Sequence, residues 1–179
     1  MMPRNDALAA RVTSAVEANA SDLLAYLVRR VDQPEDAADL LSEVFLIVWR
    51  RAASLPEDAT EARPWLFGVA RRVLLHHYRR ARRQRAVAAR LREALAVLPH
   101  PARADPAEHA DLHDALARLG AVDRDIIGLV HWEGLTLVEV SRVLGMKEGT
   151  VRSRYHRARG VLRARLGDVH GVGTTARSM

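Results

Sequence analysis

The sequence predicts an all-α protein: two small helical domains joined by a flexible linker, the C-terminal one containing a helix-turn-helix. Three observations carry that expectation. Apolar residues recur at three- and four-residue steps along most of the chain, and no run sustains the period-two alternation of a half-buried strand. Pro99, Pro101 and Pro106 interrupt the chain in the stretch PHPARADP. Between Leu137 and Leu166 a short apolar helix, a glycine and a basic amphipathic helix follow one another.

The elements follow in order. Residues 7–31 carry Leu8, Val12, Val16, Leu23, Leu24, Leu27 and Val31 at helical spacing, which predicts one or two helices. In the stretch 36–51, Leu40, Leu41, Val44, Phe45, Ile47 and Val48 form a wide apolar face. Pro34 precedes it at a position that tolerates proline, and Glu35, Asp36 and Asp39 complement the helix dipole. A loop, SLPEDATEAR, spans Ser54 to Arg63, and Pro64 is expected to open the next helix, which runs through Trp65, Leu66, Val69, Val73 and Leu74 into an arginine run. Proline removes a backbone donor and restricts the residue before it, so residues 94–107 are assigned to the linker between domains at 1–93 and 108–166. Four shorter helices are expected near 108–119, 123–133, 136–144 and 148–166. The glycine-bearing tail 167–179 lacks apolar periodicity and is expected to be disordered.

The helix-turn-helix is derived from spacing. Leu137, Val140, Val143 and Leu144 place an apolar stripe on one short helix, and Thr136 with Glu139 has the spacing of a capping box at its start. Gly145 stands where the chain must turn through a left-handed conformation. In the next helix Val151, Tyr155, Ala158 and Leu162 recur at helical steps and form the buried face; Arg152, His156, Arg159 and Arg163 face away, flanked by Arg154 and Arg157. A helix of this kind fits the major groove, its first turns reaching the base edges. Lys147 stands where a capping Ser or Asp is usual.

Charge sharpens the picture. The chain has 179 residues, 28 Lys and Arg against 22 acids, and a net charge of +6. Lys147 is the only lysine. Residues 63–92 hold ten arginines and no acid, residues 149–179 hold seven basic residues against one acid, and the intervening and preceding segments are net acidic. Two cationic segments in an otherwise acidic chain suit a polyanionic partner. In WLFGVARRVLLHHYRRARRQR, rings alternate with Arg71, Arg72, Arg79, Arg80, Arg82, Arg83 and Arg85, a combination that can hold phosphate and stack on exposed bases. Cys is absent, which removes disulfides, thiol nucleophiles and thiolate-ligated zinc. No stretch approaches the roughly 20 apolar residues of a membrane helix, so no membrane is expected and a cytoplasmic location is.

At this point the motifs resemble those of the extracytoplasmic-function sigma factors, a branch of the sigma-70 family of bacterial RNA polymerase subunits. DAADLLSEVFLIVWR resembles the family's polymerase-binding helix, RPWLFGVARRVLLHHYRR its promoter-melting helix, and EGLTLVEVSRVLGMKEGTVRSRYHRAR its C-terminal helix-turn-helix. The resemblance covers about residues 20–92 and 108–166. It implies a transcription initiation factor that binds core RNA polymerase and directs it to promoters through minus-10 and minus-35 elements. It implies that Asp39, Leu40, Glu43, Val44, Phe45 and Ile47 meet the clamp helices of the beta-prime subunit, with the beta subunit as a further partner. It implies that Trp65, Arg71, Arg72, His76, Arg79 and Arg80 meet the minus-10 element, and that the loop Ser54–Arg63 takes a flipped base. Arg152, Ser153, Arg154, His156, Arg157 and Arg159 match the minus-35 recognition helix. An anti-sigma factor is a further partner that the resemblance suggests. Arg72 and His76 depart from the family's usual Asn and Asp, as do Ser42, Ser141 and Lys147 from its usual Gln, Ala and Ser.

An enzyme is not expected, nor a cofactor. His109 and His113 have the spacing of a metal-binding pair, with Asp105 and Asp114 nearby, but no HExxH motif supports them and they are read as a solvated helix. Adjacent His76 and His77 point to different faces. No glycine-rich phosphate loop and no GxSxG motif is present. A stand-alone helix-turn-helix regulator that binds operator DNA without polymerase explains residues 136–166 but leaves the helix at 36–51 and the arginine helix unexplained.

Overall fold

The computed structural model describes residues 3–95, 116 and 118–171. The regular elements among these residues are all helices, without a strand. The elements are α1 (Pro3–Val28), α2 (Pro34–Arg50), a 3-10 turn (Ala52–Ser54), α3 (Ala59–Leu95), α4 (Ala121–His131), α5 (Leu137–Leu144) and α6 (Glu148–Gly171). The chain divides into two compact units with a boundary at Pro101; the first holds α1–α3.

The first unit is a three-helix bundle. α1 is one continuous helix, where the periodicity allowed one or two. Leu23, Tyr26 and Leu27 of α1, Leu40, Val44 and Val48 of α2, and Leu66, Phe67, Val69, Ala70 and Val73 of α3 form its core. Each fully buried Leu, Val or Phe side chain contributes about 1.5–3 kcal/mol by leaving water. Tyr26, which the aliphatic pattern passed over, meets Phe67 edge to face with ring centroids 5.5 Å apart. The guanidinium of Arg30 covers the other aspect of Tyr26 at 4.0 Å. Arg63 Nη2 and Asp22 Oδ2, 2.9 Å apart, tie α3 to α1 at the surface.

α2 begins at Pro34, which occupies the first helical position as its fixed φ favours, with Glu35 and Asp36 in the first turn. α3 begins earlier than expected. It starts at Ala59, so Pro64 lies inside the helix instead of opening it. The cause is Asp58, whose Oδ1 accepts hydrogen bonds from both the backbone N–H and the hydroxyl of Thr60 at 2.8 Å. With Glu61 following at the third position, the residues 58–61 carried a capping signal that the proline overshadowed. The expected loop Ser54–Arg63 therefore reduces to the 3-10 turn and residues 55–58. Arg11 holds that short connection, donating from Nη2 to the Leu55 carbonyl at 3.1 Å and pairing with Glu57 at 3.3 Å. At its far end α3 continues to Leu95, past the expected domain limit at 93.

In the second unit α4 starts at Ala121 and ends at His131, two residues ahead of the expected span at each end. Arg124 donates from Nε to the Leu116 carbonyl at 2.9 Å and from Nη2 to the Leu119 carbonyl at 3.2 Å, fastening the chain that leads into α4. Leu116, Leu119, Ile127 and Ala158 form a buried cluster against which Tyr155 and Leu162 pack. α6 runs to Gly171, beyond Leu166, so residues 167–171 are helical where a disordered tail was expected. Most of the expected helix 108–119, the metal reading of His109 and His113, and most of the linker lie outside the described residues.

Candidate nucleic-acid interface

The turn between α5 and α6 is built as its residues dictate. Glu139 Oε2 accepts from the Thr136 N–H at 2.8 Å, and the Glu139 N–H donates to Thr136 Oγ1 at 3.3 Å. This reciprocal pair is the capping box read from the sequence. At the other end of α5, Gly145 adopts φ +63, and the Met146 N–H closes on the Ser141 carbonyl at 2.9 Å. That bond is the six-to-one closure of a left-handed helix stop. The Lys147 carbonyl then accepts from the N–H groups of Thr150 and Val151, starting α6 without needing a side-chain cap.

α6 buries Val151 and Ala158 and half-buries Tyr155 and Leu162, as their spacing predicts. Arg152, Ser153, His156, Arg157, Arg159 and Arg163 are exposed. Arg152 carries an i,i+4 ion pair with Glu148 at 2.5 Å on the helix surface. Such an exposed pair is worth little and yields readily to a phosphate or a base edge. Ser153 Oγ donates to the Gly149 carbonyl at 2.9 Å. Arg154 differs from Arg152, Arg157, Arg159 and Arg163. It is half-buried, and its Nη1 lies 2.8 Å from Asp123 Oδ1 on α4.

On α3, Arg72, His76, Arg79 and Arg80 are exposed, while Trp65 and Arg71 are half-buried. Positions 72, 76, 79 and 80 fall on one face of the helix. The sequence-assigned α2 set separates in two. Asp39 and Glu43 are exposed and Phe45 and Ile47 half-buried, but Leu40 and Val44 are spent in the core. Leu46 and Trp49, which were not assigned, are 58% and 56% exposed. Resemblance to the family's polymerase-binding helix groups Leu40 and Val44 with the exposed positions, because matched residue types do not say which side chains a neighbouring helix covers.

Between α2 and α3 lies a groove of ≈ 320 Å³ with Asp36, Asp39 and Glu43 on one wall and His76, His77 and Arg80 on the other. Residues assigned to polymerase and residues assigned to DNA thus share one cleft. No cluster of three potential metal ligands occurs among the described residues. No helix among them is long and apolar enough to cross a membrane.

The profile of Sigma-70 region 2 matches residues 15–84, and that of Sigma-70 region 4 matches residues 115–164. The chain is 30% identical over 159 residues to the ECF RNA polymerase sigma factor SigL of Mycobacterium tuberculosis, covering 88% of this chain and 90% of that one. It is 34% identical over 151 residues to the RNA polymerase sigma-E factor of Streptomyces coelicolor, covering 80% and 79%. Among solved structures, the sigma factor RpoE of Bartonella quintana, determined in complex with the anti-sigma factor NepR, shares the fold. Its TM-score is 0.60 at 22% identity, over 87% of this chain and 96% of that one. With both regions present in order and a relative matched along nearly its whole length, the chain belongs to the extracytoplasmic-function sigma factors, which direct bacterial RNA polymerase to promoters.

Proposed function

We propose that this chain acts in the cytoplasm, without catalysis of its own, as a promoter-selecting subunit whose two DNA-facing helices are α3 and α6. The bond-making chemistry belongs to the polymerase. The reading divides the chain into a region 2 domain at 1–93, a linker at 94–107, a region 4 domain at 108–166 and a tail. Asp39 and Glu43, with Phe45, Ile47 and the exposed Leu46 and Trp49, form the surface of α2 for the polymerase clamp. Leu40 and Val44 support that surface from beneath. Arg72, His76, Arg79 and Arg80, with Arg71 and Trp65 beside them, meet the minus-10 element. Arg152, Ser153, His156, Arg157 and Arg159 meet the minus-35 element.

The observation that carries the reading is the exposed face of α6, arginine-rich and without an acid from Gly149 to Gly167, presented by a glycine-closed turn and a capping box. Arginine forks on such a face can bond two acceptors of a base edge or phosphate at once. An anti-sigma factor is a partner of the same class as that bound by the Bartonella relative, and the exposed face of α2 is where it would compete with polymerase. A stand-alone operator-binding regulator has no use for the acidic and apolar α2 face. The test is to mix the full chain with core RNA polymerase and follow co-elution and transcript start sites. Co-elution with initiation at a defined promoter is expected; DNA binding that is unaffected by polymerase, without co-elution, would support the regulator instead.

A further inference from the structure

We propose that Arg154 is a positioning residue, which through Asp123 sets the rotation of α6 about its own axis and so decides which side chains the helix offers to DNA. The inference rests on the reading of α6 as the minus-35 recognition helix and refines it, because the sequence placed Arg154 among the DNA contacts.

The geometry has two parts. Arg154 Nη1 bonds Asp123 Oδ1 at 2.8 Å, with side chains 38% and 18% exposed. On the next residue, Tyr155 stacks on His131 with centroids 5.9 Å apart and an interplanar angle of 24°, and its hydroxyl lies 3.3 Å from His131 Nε2. Asp123 and His131 stand two turns apart on α4, about 12 Å along its axis. Arg154 and Tyr155 are successive on α6, and their side chains leave that axis about 100° apart. Neighbouring side chains of one helix therefore grip widely separated points of another. Rolling α6 in either direction draws one of them off its partner.

The buried Val151 and Ala158 choose the inward face, but apolar contacts tolerate small rolls that a directional hydrogen bond does not. At the surface of a helix a roll of about 20° moves an outward side chain by roughly 2 Å. That displacement is enough to spoil a bidentate base contact while leaving looser phosphate contacts in place. A guanidinium turned toward a base would also leave the largely covered carboxylate of Asp123 without its partner.

The test uses the full chain bound to core polymerase and measures affinity for promoter DNA with a matched and a mismatched minus-35 element across a salt series. Asp123→Ala and Arg154→Ala are each expected to lower the matched-to-mismatched ratio by about fivefold or more while leaving the salt slope unchanged. Arg154→Lys, measured below its melting transition, is expected to fall between wild type and Arg154→Ala. The reciprocal exchange, Asp123→Arg with Arg154→Asp, should recover the ratio. If Arg154→Ala lowers the ratio while Asp123→Ala leaves it intact, Arg154 reads a base and the inference is wrong. If Arg154→Ala weakens all sequences equally and reduces the salt slope by about one, it holds a phosphate and the inference is again wrong. Failure of the wild-type complex to discriminate the two elements would instead overturn the recognition reading of α6 itself.

Discussion

Asp58 Oδ1 accepts two hydrogen bonds from Thr60, one from its backbone N–H and one from its hydroxyl, each 2.8 Å long. These bonds, the backbone one first, hold the Asp58 carboxyl below its usual value, against a small opposing effect of burial. A carboxyl more acidic in the folded state than in the unfolded one stabilises the fold above its ordinary pKa, near 4. That stabilisation is lost as pH falls through the lowered folded value. Asp58→Asn keeps a good capping acceptor but cannot titrate. Its melting temperature should match wild type near neutral pH and fall less steeply than wild type below about pH 4. Parallel acid limbs for the two proteins would show that the cap is not formed.

Phe67 is fully buried and meets Tyr26 edge to face, joining α3 to α1 at the centre of the bundle. Truncating a buried Phe removes transfer energy and leaves a cavity, so Phe67→Ala should cost about 3–5 kcal/mol in denaturant unfolding of the first unit. Phe67→Leu, which retains most of the volume, should cost clearly less. Equal losses from both would mean that the ring itself, and not the filled volume, matters.

Gly145 sits at φ +63, and a Cβ added there meets nothing within 4 Å. The cost of Gly145→Ala is therefore one of backbone conformation alone, about 1–2 kcal/mol. Gly145→Asn should cost less, because asparagine adopts the left-handed region more readily. Thermal melting of the two variants checks the order; an alanine variant as stable as wild type would contradict the turn geometry.

On α2, exposed Asp39 and Glu43 can be changed without touching the core, whereas Leu40 and Val44 cannot. Asp39→Arg combined with Glu43→Arg should abolish co-elution with core polymerase at unchanged helicity. Leu40→Ala should instead destabilise the fold by about 2–5 kcal/mol. Its effect on co-elution should follow the unfolded fraction. Retained co-elution by the double reversal would remove α2 from the polymerase surface.

Arg157 is exposed on α6, and no assigned base contact depends on it alone. If it neutralises a phosphate, Arg157→Ala should weaken promoter binding for all minus-35 sequences alike and reduce the salt slope by about one. A loss confined to one base position would make it a base reader.

What the sequence determined by itself was the local and periodic part of this protein. Helical spacing placed α2 and α6 to within a few residues, the Thr136 and Glu139 pair specified the start of α5, and Gly145 specified its stop. Each of these signals is complete within one or two turns, where residue types and backbone geometry are directly coupled. The three ordered motifs also identified the family, since each retains its residue types at fixed spacing. Only the tertiary structure decided which apolar residues of α2 are covered and which remain at the surface, because hydrophobic periodicity is blind to the neighbour on the other side. It also resolved the competition between two local signals, starting α3 at the Asp58 cap and leaving Pro64 inside the helix. And it paired Arg154 with Asp123 across 31 residues of sequence. An arginine on a basic face looks like its neighbours until another helix brings a carboxylate within hydrogen-bonding distance.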